Sequence, residues 1–303
     1  MKAPAPILAL ALLTASGALW LACSGPLLKL PKLTPGQSAP ASDGLDALAQ
    51  SLSRCANLDA LTAEIAVSGS VGGHHVRGRL LAGFTESARS TSDTSSPVQS
   101  ARLEAVAPFG QPFFIFVAVG DEATILLPRA DRVLTRARPD RVLEALTGLR
   151  IGPRELMQTL TGCVARDPQA TALAAGDDWR VVRNPDVSED HETAEIFIHR
   201  LKASAPWRLI AVIHAEQAAG ESAGTVGSGW RAEYRDTGSS LPTTVRLVSL
   251  ASGRFDLQLT LSQVDTRATL APDAFQIKIP ASAQPITLDE LRANGPFAPE
   301  PKR

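Results

Sequence analysis

Most of this chain alternates apolar and polar residues with a period of two, and this pattern limits the fold more than any other feature. From Leu61 to Val67 every second residue is apolar, and similar segments recur along the chain. Alternation of this kind is typical of strands with one buried face. Gly72-Gly73 separates the first two segments and indicates a hairpin. Because no regular alternation of strands with helices is present, we expect an antiparallel sheet.

Further strands are predicted between short runs of Gly, Pro, Asp or Ser. They cover Ala101–Val106, Pro112–Val119, Ala123–Leu127, Arg132–Thr135, Trp179–Arg183, Ala194–Arg200, Trp207–His214, Trp230–Arg235, Thr243–Leu250, Arg254–Val264 and Phe275–Ile279. The predicted fold class is mainly β (α+β), with one curled antiparallel sheet of about eleven strands, since a sheet of that length must curl to bury a face.

Short helical patterns interrupt the strands at three places. The first covers residues 43–56, and the other two follow one another between Pro139 and Gly162. Pro139 and Pro153 stand at first helical positions, while Gly148 and Gly162 end the helices. These helices are too few to cover both faces of the sheet. We therefore expect them to form a lid over the open side of an incomplete β-barrel.

The N-terminus is typical of an export signal, with Lys2 followed by an uncharged apolar stretch. The stretch ends in Leu21-Ala22-Cys23-Ser24, which resembles a bacterial lipobox. We expect lipidation of Cys23, and the alternative is an ordinary secretory signal with a chance cysteine. Ser24 in place of Asp implies, for a lipoprotein, anchoring in the outer membrane with the protein facing the periplasm.

The chain divides into four predicted segments. They are a lipoprotein signal peptide (1–22), a lipid anchor with a flexible tether (23–43), a half-barrel domain (44–285) and a C-terminal tail (286–303). The tether is predicted because its residues are rich in Pro, Lys, Ser and Ala and show no apolar period.

The cysteine count is informative once export is assumed. Of the three cysteines, Cys55 and Cys163 remain if Cys23 carries lipid. Both lie near the ends of predicted helices, and two cysteines in an oxidising compartment can pair. We expect a Cys55–Cys163 disulfide, with two separate buried thiols as the alternative.

Charge and aromatic content argue against nucleic acid as a partner. The net charge is −1, no basic block is present, and the chain has one tyrosine. A nucleic-acid-binding surface needs clustered Lys and Arg, and a single-strand platform needs stacking aromatics.

The strongest catalytic motif is Gly-Glu-Ser-Ala-Gly at 220–224, which matches the G-x-S-x-G nucleophile elbow around Ser222. That elbow requires a sharp turn from a strand into a helix. Residues 225–229 are loop-like and lead into another strand, so a hairpin loop is the favoured interpretation.

Metal sites are also weakly supported. His74-His75 would point to opposite faces of a strand, and the acidic group Glu189, Asp190 and Glu192 is typical of a solvated loop. We expect no metal, no cofactor and no catalytic residues, and the chain is interpreted as a binding protein rather than an enzyme.

Two segments resemble the LolA/LolB-like family of lipoprotein carriers and outer-membrane receptors. They are RLEAVAPFG (102–110) and LTGLRIGPRELMQTLTG (146–162), and FDLQLTLSQVDTRATLAPDAFQIKIP (255–280) resembles the last strands of the same family. The resemblance spans residues 45–285 and rests on order and spacing. This chain is longer than LolB, with added sequence at 85–98 and within 164–241.

The resemblance implies an incomplete β-barrel with a helical lid and a hydrophobic cavity for acyl chains of a lipid or lipoprotein. It also implies the outer membrane and a soluble periplasmic LolA-like carrier as partners. The turn Pro108-Phe109-Gly110 matches a protruding loop that presents an apolar residue to the membrane, and Phe109 is that residue here. A side chain folded back on the core is the alternative. The expected cavity or lid residues are Ile65, Leu80, Leu103, Phe113, Ile115, Val117, Leu143, Leu146, Leu156 and Leu160.

Three functions follow from these features. The first is an outer-membrane lipoprotein that holds acyl chains in a cavity and delivers them to the membrane. The second is a non-catalytic assembly lipoprotein that uses its sheet as a protein-interaction scaffold. The third is an esterase that uses Ser222.

Overall fold

The computed structural model describes residues 28–33, 38–56, 58–87, 98–106, 112–185, 192–216, 229–235, 241–251 and 253–296. The chain divides into two units, Met1–Leu30 and Pro31–Arg303. All the elements below belong to the second unit.

The described residues form fifteen strands and four α-helices. The strands are β1 (Ala39–Pro40), β2 (Ala60–Val71), β3 (His74–Ser87), β4 (Val98–Val106), β5 (Phe114–Val119), β6 (Glu122–Leu127), β7 (Arg132–Ala137), β8 (Thr171–Ala175), β9 (Trp179–Asn184), β10 (Glu192–His199), β11 (Arg208–Glu216), β12 (Gly229–Arg235), β13 (Thr244–Ser249), β14 (Phe255–Asp265) and β15 (Gln284–Pro285). The helices are α1 (Gly44–Ser51), α2 (Pro139–Thr147), α3 (Pro153–Thr161) and α4 (Leu288–Asn294).

All the described strands join one sheet in the order β1-β8-β9-β10-β11-β12-β13-β14-β2-β3-β4-β5-β6-β7-β15. Neighbours pair antiparallel except β15, which runs parallel to β7. The two edges are different strands, so the sheet is not closed. Each edge strand is only two residues long, and short edge strands limit unwanted pairing with other chains.

Local irregularities let this long sheet curl. Register shifts interrupt the pairing of β10 with β11 between Phe197 and Ile198, and the pairing of β14 with β2 after Ser262. Such bulges bend a strand and increase its twist. Gly69 of β2 has φ +141°, and an added Cβ would collide with the carbonyl oxygen of Asp256 on β14. Glycine is therefore required at this position, because the backbone of β14 leaves no room for a side chain.

The concave face of the sheet carries the hydrophobic core. Phe84 of β3 and Phe116 of β5 are fully buried there, and Val142 of α2 and Leu160 of α3 pack into the same cluster. The predicted fold class is confirmed, since the molecule is one large open sheet with a few helices over its concave side.

The lid helices begin and end where the sequence predicts. Pro139 and Pro153 occupy the first turns of α2 and α3, where a missing N–H costs nothing. Gly148 and Gly162 end the helices in the left-handed conformation, with φ of +74° and +65°, which glycine adopts without steric cost.

A disulfide links Cys55 and Cys163, as predicted, with their Cα atoms 5.5 Å apart. Cys55 closes the short 3-10 helix after α1, and Cys163 follows Gly162, the C-cap of α3. The bridge spans 108 residues of sequence. It therefore ties the last turn of the lid to the N-terminal helix.

Some strand predictions need correction. Phe275–Ile279 is not a strand, because Pro272–Phe275 forms a 3-10 helix and the following residues pair with no strand. The sequence prediction also missed β8, β1 and β15. The residues assigned to a C-terminal tail contain α4, which has a capping box between Thr287 and Glu290 and a buried Leu291.

Gly148 and Gly162, which end the lid helices α2 and α3, provide a matched test of packing at the disulfide. A Cβ on Gly148 would meet open space, whereas a Cβ on Gly162 would lie 3.1 Å from Leu209 Cδ2 and 3.2 Å from Arg54 Nη2. Both alanine substitutions should cost about 1–2 kcal/mol for the left-handed backbone. Gly162→Ala should lose at least about 1 kcal/mol more through crowding. Urea unfolding of the oxidised protein measures both, and equal losses would refute the crowding.

Candidate functional site

A mostly apolar cavity of about 280 Å³ lies between the concave face of the sheet and the lid helices. Apolar side chains come from the sheet and from the lid alike. They include Val76 and Leu80 of β3, Leu103 and Ala105 of β4, Leu257 and Leu259 of β14, Leu143 and Leu146 of α2, and Leu156 of α3. The cavity therefore remains where the lid does not fill the curl of the sheet.

The alternation of the strands explains why this lining is apolar. Leu80 pairs with Ala105 across β3 and β4, and Leu103 pairs with Phe116 across β4 and β5. Side chains two residues apart on a strand share a face, so these positions all point to the concave side. On α2, Leu143 and Leu146 are one turn apart and face the cavity together.

One end of the cavity borders Val106, the last described residue of β4, which pairs with Arg79 of β3. Val106 and Phe113, which flank the segment 107–111, both line the cavity. The Phe113 side chain is 40% exposed, and the Arg129 guanidinium lies 4.0 Å from its ring centroid.

Few polar residues are among those that line the cavity. Among its described lining residues they are Thr147 of α2 and three residues of β3, namely His75, Arg77 and Arg79. The sequence analysis did not single out the two arginines. Their signal is the run His75-Val76-Arg77-Gly78-Arg79, in which basic residues alternate with small or apolar ones.

The structure separates the predicted cavity residues into three groups. Six of them line the cavity: Leu80, Leu103, Phe113, Leu143, Leu146 and Leu156. Ile65 and Leu160 lie in the solid core instead, 2% and 1% exposed.

Ile115 and Val117 do not line the cavity as predicted, because they lie on the opposite face of the sheet. They pair with Glu104 and Arg102, whereas the concave face of β5 carries Phe116. Val117 is nevertheless buried, since the 3-10 helix Pro272–Phe275 packs against β4 and β5 on that side. Arg102 Nη1 donates to the carbonyl oxygens of Ala274 and Gln276 at 3.2 Å. Because β5 is apolar on both faces, its sequence does not reveal which face is concave.

Several positions weighed in the sequence analysis lie outside the described residues. They are Cys23, the turn Pro108-Phe109-Gly110, the motif around Ser222, and the acidic residues Glu189 and Asp190. The roles expected for Cys23 and Phe109 remain predictions, as do the loop interpretations of the other two.

Metal binding and membrane spanning can be assessed for the described ranges. His74 and His75 are both exposed at the β2–β3 hairpin. In those ranges no group of three His, Cys, Asp or Glu side chains is arranged to hold a metal ion. No helix of the described part has the length and apolar character needed to cross a bilayer.

Two other clefts of about 520 Å³ and 420 Å³ border Glu155 of α3. In the larger one, charged groups pair with each other. Arg138 Nε and Arg150 Nε lie 3.1 Å and 3.2 Å from the carboxylate oxygens of Asp140. Burial opposes ionisation of Asp140, but these hydrogen bonds outweigh it and lower its pKa. The apolar cavity of about 280 Å³ is therefore a better candidate for a ligand site than this charged cleft.

Comparison with known proteins establishes the fold. No protein-family model and no curated protein sequence matches this chain. It is similar to the solved structure of a domain from Vibrio parahaemolyticus assigned to outer membrane lipoprotein sorting, with a TM-score of 0.50 and 10% identity over 77% of this chain and 96% of that one. A DUF1329 family protein from Desulfovibrio piger aligns with a TM-score of 0.50 and 9% identity over 78% and 97% of the two chains.

A LolA superfamily protein from Nitrosomonas europaea also aligns, at a TM-score of 0.46 and 10% identity over 77% of this chain and 97% of that one. Similarity at such identities concerns the fold alone. The two alignments with a TM-score of 0.50 agree with the fold that the sequence predicts, an open sheet with a few helices.

Ala105 and Ala101 test whether the cavity is open space. Both lie on the concave face of β4, but Ala105 lines the cavity whereas Ala101 is fully buried in the core. Ala101→Leu should overpack the core and cost about 1–3 kcal/mol. Ala105→Leu should change the free energy of unfolding by less than about 1 kcal/mol, because its added methyl groups enter the cavity. Urea unfolding measures both, and equal destabilisation would contradict an open cavity.

Proposed function

We propose that this chain, which has the open-barrel fold of the LolA/LolB-like superfamily, is a lipid-anchored envelope protein that holds acyl chains. The observation that carries the proposal is the apolar cavity of about 280 Å³ between the sheet and the lid helices. The proposed ligand is an acyl chain of a lipid or lipoprotein. The proposed role is delivery of that chain to the outer membrane.

Physical chemistry supports such a role without catalysis. Each buried methylene contributes roughly 0.8 kcal/mol to the binding of an acyl chain, so a chain does not leave a membrane for water. A cavity lined by Leu103, Leu146 and Leu257 offers a host of similar polarity. Transfer between two such hosts depends on their difference in burial and needs no nucleotide.

The size of the cavity limits its occupant. Ligand pockets commonly measure about 300–1,000 Å³, and this cavity lies just below that range at about 280 Å³. We infer that it accepts a single chain. A cargo with several chains would require the lid helices α2 and α3 to move away from the sheet.

The proposed location follows from the sequence prediction for Cys23, because lipid on that residue would anchor the protein to the outer membrane, facing the periplasm. Val106 and Phe113, which flank the segment 107–111 in the sequence, line the cavity. Phe109 would then contact the membrane, and a soluble LolA-like carrier would supply the cargo.

Binding of a fluorescent fatty acid to the soluble protein, without its signal peptide and lipid, tests the proposal. We expect saturable binding, and we expect Ala105→Leu to weaken it. Displacing about two methylenes of the ligand costs about 1.6 kcal/mol, or roughly fifteenfold in Kd. Leu81→Ala is the control, because Leu81 of β3 is 45% exposed and does not line the cavity. Absence of binding in the unmodified protein would overturn the proposal and favour the scaffold role.

Delivery is tested by the transfer of the bound fluorescent fatty acid to phospholipid vesicles. Phe109→Glu should slow transfer by about tenfold or more, because inserting a phenylalanine side chain contributes about 1.5–3 kcal/mol. Fatty acid affinity should be unchanged.

The matched control for delivery is Leu201→Glu. Leu201 is 73% exposed in the β10–β11 hairpin, at the opposite end of the strands from the β2–β3 hairpin. Equal slowing by both variants would show that Phe109 has no specific role.

A further inference from the structure

We propose that the Cys55–Cys163 disulfide is a reducible redox site, and that Arg54 stabilises the thiolate that forms when the bridge opens. The co-reactant is a dithiol. Reduction would release the end of lid helix α3 from the N-terminal helix. The inference goes beyond the proposed function, because it concerns how the lid is attached and not what the cavity holds.

Arg54 lies beside the bridge. It directly precedes Cys55 in the short 3-10 helix after α1. A Cβ on Gly162, the residue before Cys163, would lie 3.2 Å from Arg54 Nη2. The guanidinium is therefore close to both of the segments that the disulfide joins.

The hydrogen bonds of Arg54 are incomplete. Nη1 donates to the carbonyl oxygen of Ser51 at 2.8 Å, at the end of α1. Nε and Nη2 are buried, and no residue that the structure describes accepts a hydrogen bond from either of them. A buried donor without an acceptor costs free energy, and the cost is larger when the group is charged. Such a group requires an explanation, and a redox role is one that fits a neighbour of a disulfide.

The charge of Arg54 is not balanced by an acidic side chain within the described ranges. Burial lowers the pKa of the Arg54 guanidinium, but arginine stays protonated in proteins. Tyr234 of β12 interacts with it electrostatically, yet burial raises the pKa of Tyr234 and keeps its hydroxyl neutral. The oxidised bridge carries no charge, whereas a thiolate on either cysteine would give Arg54 an acceptor of opposite charge.

Reduction would proceed by thiol–disulfide exchange. A thiolate of the dithiol attacks one sulfur of the bridge, the S–S bond breaks, and the other cysteine leaves as a thiolate. The second thiol of the reductant then displaces the first, so the reductant becomes a disulfide and the two cysteines gain two electrons. The thiolate beside Arg54 keeps its charge, the other cysteine takes up one proton, and a second proton goes to water. Cys55 and Cys163 are both partly exposed, so a dithiol can reach the bridge.

Opening the bridge would free one end of α3. The ion pairs that hold this helix to the sheet in the described ranges are in its first turn. Arg154 Nη2 lies 2.8 Å from Glu86 Oε1 on β3, and Glu155 Oε1 lies 3.4 Å from His214 Nδ1 on β11. The disulfide is at the other end of α3. Reduction should therefore loosen the last turn of α3 and leave its first turn in place.

Equilibration of the soluble protein with mixtures of reduced and oxidised dithiothreitol at pH 7 tests the inference. Alkylation of free thiols followed by mass spectrometry measures the reduced fraction. Arg54→Met should require a ratio of reduced to oxidised dithiothreitol about tenfold or more above that of the parent for half reduction, because its thiolate loses a hydrogen bond to a charged group. A tenfold change corresponds to about 30 mV for this two-electron couple.

Two further variants assign the effect to Arg54. Arg54→Lys keeps the charge and should retain part of the ease of reduction, and Arg54→Gln replaces Arg54→Met if the latter does not fold. Arg166→Met is the control, because Arg166 is exposed and lies three residues after Cys163. It should shift the half-reduction ratio by less than about twofold.

Thiol reactivity gives a readout that a purely structural role of Arg54 would not change. In the fully reduced protein, iodoacetamide should alkylate one of the two cysteines about threefold or more faster in the parent than in Arg54→Met. The thiolate is the reactive form, and its larger fraction outweighs its weaker nucleophilicity. Equal rates in the two proteins would overturn the inference.

The remaining outcomes separate this inference from the proposed function. If the parent and Arg54→Met are half-reduced at the same ratio, or if the folded parent stays oxidised in excess dithiothreitol, the inference fails and the bridge is structural. On reduction, amide hydrogen exchange should increase in the last turn of α3, and an equal increase throughout α2 would contradict the release of α3 alone. None of these measurements involves a fatty acid, so an absence of acyl binding would overturn the proposed function and leave this inference standing.

Discussion

The structure depends on one constraint, which is that the concave face of an open sheet must be covered. A closed barrel buries its interior by itself, but this sheet ends in different strands, β1 and β15. Its apolar concave face would otherwise meet water. The helices α2 and α3 supply the cover, and their leucines join the same core as Phe84 and Phe116.

The cover is held at defined points and remains incomplete between them. The disulfide from Cys163 to Cys55 fixes the end of α3 to the N-terminal helix, and α4 packs against α2 with Leu291 buried. Between these attachments, two short helices cannot fill the curl of so long a sheet. The space that remains is apolar because it is part of the core face. The cavity thus exists because the lid helices cover less than the whole concave face of the sheet.

The parts of the fold that were predictable are those with local causes. Pro139 and Gly148 mark the ends of α2 through backbone geometry that acts within a few residues. Gly72-Gly73 forms the hairpin between β2 and β3 for the same reason. Phe275–Ile279 shows the limit, because this alternating segment pairs with no strand. Phe275 instead closes a 3-10 helix that begins at Pro272 and packs on the outer face of the sheet. Tertiary packing there overrode a short-range pattern.

The amino-acid sequence alone determined the class of fold, the limits of the lid helices and the partners available for a disulfide, because periodicity, Pro and Gly positions and cysteine count act locally or by composition. Only the tertiary structure decided which face of β5 became concave, and so placed Leu103 at the cavity and Val117 on the other side. The physical reason is that curvature is a property of the paired sheet, and no single strand carries it.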